Sequence, residues 1–277
     1  MLTRVDRVQL VVADRRAAAD AFARLLRTEV VREDRLGLLA ARRCVLQLGT
    51  SNVELLEPDG TGPAADFLSH TKGGLFAAGF ATADLEQLHA HLCARGVTPA
   101  EEGGQLFLAP EVLRLPGLRA VISAESNPPA VGLAQRLYEV THLVPDFATI
   151  VQEAAANFGL ATEHFAPIRS EQFGYEGVLT LFHPDRLDRI EMVTPNDLTK
   201  TMGRFFTKRG PSLYMCFAEA ADLAPIVARL REQAPHDWTG APDTLFIHPR
   251  ALGGMMLGVS RTTFAWTWSG RPERVVT

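Results

Sequence analysis

Apolar and polar positions alternate along residues 5–14, which predicts a β-strand. The alanine-rich stretch 15–27 then switches to a helical period. The same switch recurs at 137–146 followed by 147–158, and Asp14 and Asp146 stand where the helix N-caps belong. Strands 52–58 and 189–195 are each closed by a proline, Pro58 and Pro195. A strand at 79–84 with a helix to Ala94 is answered by 216–222 with a helix to Glu232. Residues 106–110, with Gly117 beyond, are matched by 245–249, with Gly254 beyond. Near the C-terminus Phe264, Trp266 and Trp268 alternate and predict a strand with three aromatics on one face.

These landmarks recur in one order at an offset of roughly 130–140 residues, so the chain reads twice. Each half divides again into strand, helix and two or three strands, giving four βαβββ units. The expected fold class is α+β, with two cupped mixed sheets and helices outside. Pro, Gly and small residues interrupt all periodicity at 125–132. The expected organisation is therefore a unit pair at 1–125, a linker at 126–134 and a second pair at 135–277. Shorter breaks at 59–63 and at the polar stretch 200–211 separate the units within each half.

With 277 residues, 47% of them hydrophobic, the chain can bury a sizeable core. Its net charge of -4 offers no general attraction to nucleic acid or an anionic membrane. Neither partner is expected. Cys44, Cys93 and Cys216 are scattered without paired spacing, and the N-terminus enters a strand pattern with no signal-peptide core. The cytoplasm is the expected location.

Four βαβββ units with these signatures resemble the vicinal oxygen chelate superfamily, which includes glyoxalase I, methylmalonyl-CoA epimerase, extradiol dioxygenases and bleomycin resistance proteins. The residues that carry the resemblance are the first strand running to Asp14, the Val53-Glu54-Leu55-Leu56-Glu57-Pro58 strand, and Leu245-Phe246-Ile247-His248-Pro249 leading to Gly253-Gly254. The last two pieces are most similar to the epimerase and hydroxyphenylpyruvate dioxygenase branches. The resemblance implies that paired units form a cup in which His and Glu hold a divalent cation against two neighbouring substrate oxygens.

In the family the first-strand His lies seven positions before the Asp that opens the helix, which puts Arg7 and Glu139 in its place. Near the matching positions of units two and four stand Ala77 and Tyr214, and the last-strand Glu aligns near Val121 and Gly258. The strand Glu of units one and three is retained as Glu54 and Glu191. His142 alternates to the face opposite Glu139 and Thr141. A set of Glu139, Glu191 and Tyr214 without imidazole suits magnesium or manganese better than zinc or iron, so if a metal binds, Glu139 and Glu191 are its expected ligands. Two carboxylates in one apolar cup also suit acid–base chemistry without metal, because each raises the other's pKa.

The leading expectation is an isomerase, epimerase or lyase that removes a proton next to a carbonyl in the C-terminal cup. Glu139 or Glu191 would be the base, with Tyr214 and Thr141 steadying the enolate oxygen. His248, in a His-Pro turn like one in the epimerase branch, is a candidate substrate contact or a solvated turn residue. Arg7, Gln9 and Glu54 are the polar set of the first cup, either contacting substrate or closing a lost site as an ion pair. His89, His91 and His183 read as surface or turn residues. Arg204, Lys208 and Arg209 read as a solvated linker or a phosphate contact. The alternatives are a non-catalytic protein that sequesters a small hydrophobic molecule and, third, an extradiol-type dioxygenase. The expected partner is a small carbonyl compound, bound by a monomer or a homodimer. Which units pair is open: neighbours would join Tyr214 to Glu139 and Glu191, whereas exchanged units would join it to Arg7 and Glu54.

Overall fold

The computed structural model describes residues 1–276; Thr277, the last residue of the second expected unit pair, lies outside the described residues. The first half runs β1 (Leu2–Val11), α1 (Arg15–Leu26), β2 (Glu29–Leu36), β3 (Ala41–Leu48), β4 (Ser51–Pro58), α2 (Pro63–Thr71), β5 (Gly74–Thr82), α3 (Leu85–Ala94), β6 (Ala100–Glu102), β7 (Gln105–Leu108), the single turn α4 (Pro110–Leu113) and β8 (Ala120–Ala124). The second half repeats it: β9 (Arg136–Leu143), α5 (Phe147–Phe158), β10 (Ala166–Ser170), β11 (Tyr175–Leu181), β12 (Arg189–Pro195), α6 (Thr201–Arg209), β13 (Ser212–Ala220), α7 (Ala224–Gln233), β14 (Trp238–Ala241), β15 (Thr244–Ile247) and β16 (Met256–Arg261).

The strands form two mixed eight-stranded sheets, β2-β3-β4-β1-β5-β8-β7-β6 and β10-β11-β12-β9-β13-β16-β15-β14. In each, the first strands of neighbouring units pair antiparallel at the centre, β1 with β5 and β9 with β13. Units adjacent in sequence therefore build each sheet, which settles the pairing in favour of neighbours.

Local chemistry accounts for the elements. Asp14, Asp84 and Asp146 accept from the backbone N–H groups of Ala17, Gln87 and Ala148 at 2.9, 2.8 and 3.0 Å, capping α1, α3 and α5. Inside the central strands the alternation breaks at bulges. Asp6 and Arg7 fall together against Gly79, and Tyr138 and Glu139 against Phe217. Two positions differ from expectation. Residues 201–209 form helix α6, because the stretch between Lys200 and Gly210 holds no proline, Gly203 fits closely against Asp197 and Leu198, and the helical turn brings Met202, Phe205 and Phe206 onto one apolar cluster. Phe264–Trp268 is a 3-10 helix and not a strand, opened by Thr263 in the left-handed region (φ 66°).

The two faces of the sheets pack separately. One continuous core joins both halves through α1, α3, α5 and α7, with Phe22, Leu25, Leu88, Phe158 and Ile226 fully buried. The opposite faces carry their own clusters, which α2 and α6 cover in the first and second halves. Across the join the halves exchange matching bonds: Val5 N–H donates to Asp188 (3.0 Å) and Leu137 N–H to Ser51 (2.9 Å). Thr50 N–H donates to the Gln135 carbonyl at 2.8 Å, and Gly49 bridges Val131. Gly49 has φ 63°, and a Cβ there would fall on the Gln135 carbonyl. Gly49→Ala is thus expected to destabilise by roughly 1–3 kcal/mol, read as a lower urea midpoint in circular dichroism.

Candidate functional site

In the first cup, Arg7 and Gln9 on β1, Glu54 on β4 and Arg43 on β3 face one another. Arg7 donates to Glu54 (3.0 Å), to Asp6 (2.7 Å) and to Ser123 (2.5 Å). Gln9 donates to the other Glu54 oxygen at 2.8 Å, while Arg43 joins Glu54 (3.2 Å), Gln105 (2.7 Å) and Asp34 (2.6 Å). Burial alone would raise the Glu54 pKa. Arg7 and Arg43 outweigh it and hold the carboxyl below its ordinary value. The donors of Arg7, Gln9 and Arg43 and both Glu54 oxygens are thus engaged within a network that also takes in Asp6, Asp34, Gln105 and Ser123. Gln9 Oε1 is enclosed with no partner among the described residues.

In the second cup the charges are rearranged. Parallel pairing of β9 with β12 sets Glu139 beside Arg189 and Thr141 beside Glu191. Arg189 Nε donates to Glu139 at 2.6 Å, with both side chains almost wholly enclosed. Arg189 Nη1 donates to Ser269 Oγ (2.6 Å), which itself donates to the Ala265 carbonyl (2.6 Å). The guanidinium also lies over the Tyr138 ring, 5.2 Å from its centroid, and the Tyr138 hydroxyl meets Ser260 at 3.1 Å.

Glu191 receives a hydrogen bond from Thr141 (2.6 Å) but no guanidinium among the described residues. Burial, then the neighbouring Glu139 charge, pushes its pKa up to about 8. Burial also raises Glu139, against the pull of the Arg189 guanidinium bonded to it, whereas Glu191 has no such ion pair to favour its charged form. Tyr175 stands beside Glu191, its own pKa raised by burial and by that carboxylate. Because the Thr141 hydrogen bond favours the charged carboxylate, Thr141→Val is expected to raise the Glu191 midpoint further, a shift that carboxyl-labelled NMR titration would read.

Apolar rings fill the rest of the second cup. Tyr138, Phe217, Phe246, Trp266 and Trp268 form one cluster, and the C-terminal 3-10 segment brings in both tryptophans. A Cβ at Gly258 would strike the Phe217 ring, so that glycine makes room for it.

The other expected residues fall elsewhere. Tyr214 occupies a bulge between Leu213 and Met215 and packs edge-on against Phe205, with ring centroids 5.0 Å apart. Met215, not Tyr214, pairs with Thr141 and so stands in the register of Ala77, which pairs with Gln9. His248 sits after β15, its N–H donating to the Asp237 carbonyl (2.8 Å) and its ring near Thr239 (3.4 Å). His142 lies on the helix side, where its Nε2 donates to the Pro116 carbonyl at 2.8 Å and burial lowers its pKa to about 4. His91 also joins the halves, donating to the Ala156 carbonyl at 2.8 Å. Residues that sequence reasoning missed are Arg189, Tyr138, Tyr175 and Ser269 in the second cup, and Arg43, Asp34 and Gln105 in the first. The bulges at Asp6 and Tyr138 hid part of this. Asp34 lies on β2, where all residues but Leu36 are exposed and no alternation points inward.

Comparison with solved structures decides the fold. A triple variant of 4-hydroxymandelate synthase from Streptomyces coelicolor superposes with a TM-score of 0.71, covering 99% of each chain at 13% identity. The chain has the vicinal oxygen chelate fold. A fusion of a xylose isomerase-like TIM barrel with 4-hydroxyphenylpyruvate dioxygenase matches with a TM-score of 0.62 at 11% identity, over 94% of this chain and 49% of that one. Methylmalonyl-CoA epimerase from Mycobacterium tuberculosis aligns with 47% of this chain and 89% of its own, at 22% identity and a TM-score of 0.39. No family model and no curated protein matches the sequence.

The metal expected from this fold does not fit the donor set. Glu139, in the first-strand ligand position, already holds a guanidinium, and a second cation beside Arg189 would be repelled. Among the described residues no three His, Cys, Asp or Glu side chains are grouped to hold an ion. No helix of the described residues is long and apolar enough to cross a membrane.

Proposed function

We propose that the chain is an enzyme of isomerase, epimerase or lyase type that moves a proton on a carbon next to a carbonyl, using the second cup. The observation that carries this is Glu191, an enclosed carboxyl with a pKa near 8, hydrogen-bonded by Thr141 and left without a guanidinium among the described residues. Such a group exchanges its proton close to working pH. Glu191, not Glu139, is the base in this reading, because the Arg189 ion pair ties Glu139 in place. Tyr214 contributes wall, and Thr141 orients the base. That an enzyme of the same fold spans the whole chain supports a catalytic role. The first cup, closed on its own ion pairs, is structural.

Sequestration of a hydrophobic small molecule is the second reading, favoured by the aromatic lining of the second cup. A dioxygenase would need two imidazoles and a carboxylate in one cup, and His142 faces the other way. Incubating a panel of carbonyl compounds with the protein in deuterium oxide separates the first two readings. Wash-in of deuterium next to the carbonyl, lost in Glu191→Gln, is expected; binding without wash-in for every compound bound would favour sequestration.

A further inference from the structure

We propose that Arg189 is a ligand-binding cation built into the second cup, standing in for a divalent metal and receiving the oxyanion of a small carboxylate ligand. The position where the fold's relatives are expected to hold a metal ligand carries Glu139, and what Glu139 holds is a guanidinium at 2.6 Å. Arg189 is 0% exposed. Of its three nitrogens, Nε is taken by Glu139 and Nη1 by Ser269, while Nη2 is enclosed and has no acceptor among the described residues. A buried, charged N–H without an acceptor is costly, and the planar fork of arginine matches a carboxylate. The first cup is built otherwise: Arg7 and Arg43 each bond through all three nitrogens.

A cavity comes within one side chain of Arg189. Ser269 borders a cavity of about 240 Å³, which is also lined by Leu181, the cross-strand neighbour of Arg189. The same cavity is lined by Arg271 and by His164, whose Nδ1 is a second enclosed polar atom without a partner among the described residues. A carboxylate entering there passes the opposed charges of Arg271 and Glu163 and the His164 ring, and reaches Arg189 when the Ser269 side chain rotates away. The size and the apolar walls, Phe165, Leu181 and Pro184, suit a small organic acid rather than a long acyl carrier.

This deepens the acid–base reading by giving the substrate an anionic end, and it is tested by binding, without turnover. Benzoate and its neutral isostere benzamide would be titrated into the full chain by calorimetry. Saturable benzoate binding is expected, with benzamide weaker by about tenfold or more. Arg189→Lys, which keeps the charge on Glu139 balanced but loses the fork, should weaken benzoate several-fold. The charge-neutral double variant Glu139→Gln/Arg189→Met should bring benzoate to the level of benzamide, with circular dichroism confirming the fold. Equal affinity for the two probes, no saturable benzoate binding, or benzoate affinity unchanged in Arg189→Lys would overturn the proposal. So would Mn²⁺ binding to the unaltered protein that Glu139→Gln abolishes. Benzoate binding with no deuterium wash-in on any compound would instead retain the Arg189 site and remove the catalytic reading.

Discussion

Glu54→Ala is expected to lower the free energy of unfolding by about 3–5 kcal/mol, because it leaves two guanidinium groups inside the first cup short of their shared carboxylate. Glu54 is 0% exposed and bonds to Arg7 at 3.0 Å and Arg43 at 3.2 Å. Asp6 and Asp34 remain to balance one arginine each, yet both are bonded to other nitrogens of those arginines and cannot reach the vacated positions without moving β1 or β2. Gln9 and Gln105 would also lose an acceptor. Urea unfolding followed by circular dichroism measures the loss. A loss below about 1 kcal/mol for Glu54→Ala would mean that water reaches the cup and screens the network.

The same contrast explains what the sequence could and could not disclose. The fold was legible because it depends on periodicity and on repeated landmarks: the alternating strand ending at Asp14 and again at Asp146, the caps those residues make, and the prolines closing β4 and β12. Glu54, Glu139 and Glu191 were legible as inward carboxylates because they sit on central strands of each sheet. Their partners were not. Arg189 at the start of β12 and Arg43 within β3 look like ordinary strand charges until the sheet is folded, and the assignment of Arg7 to Glu54 in one cup but of Arg189 to Glu139 in the other depends on register between distant strands. The bulge at Tyr214 shifted one position by one residue, enough to turn a polar candidate into a packing residue. The aromatic alternation of Phe264, Trp266 and Trp268 misled in a different way. Alternation at period two predicts a strand only where a partner strand exists, and here the segment after β16 curls back over the cup to place Ser269 on Arg189.

Glu191→Gln is expected to reduce turnover by about 10²–10⁴-fold while making the protein more stable at alkaline pH. The two effects have one origin. In the folded chain the Glu191 midpoint is raised to about 8 from an ordinary 4.5, first by burial and then by the Glu139 charge. Between these values the folded state holds a proton that the unfolded state has released, so stability falls as pH rises from about 4.5 to about 8 and the loss is complete above that. Its size is about 1.4 kcal/mol for each pH unit separating the two midpoints, which comes to a few kcal/mol. Glutamine is neutral at every pH and keeps an acceptor for the Thr141 hydroxyl, so the variant should match the parent near pH 5 and exceed it near pH 9 in thermal melts. It also has no proton to give or take, hence the lost turnover. A base made strong by an enclosed, unbalanced charge is a burden on the fold, and a stability gain at high pH that accompanies the loss of deuterium wash-in would tie that burden to the chemistry. Melting curves with the same pH dependence in both proteins would place Glu191 in water and remove the basis for assigning it the proton.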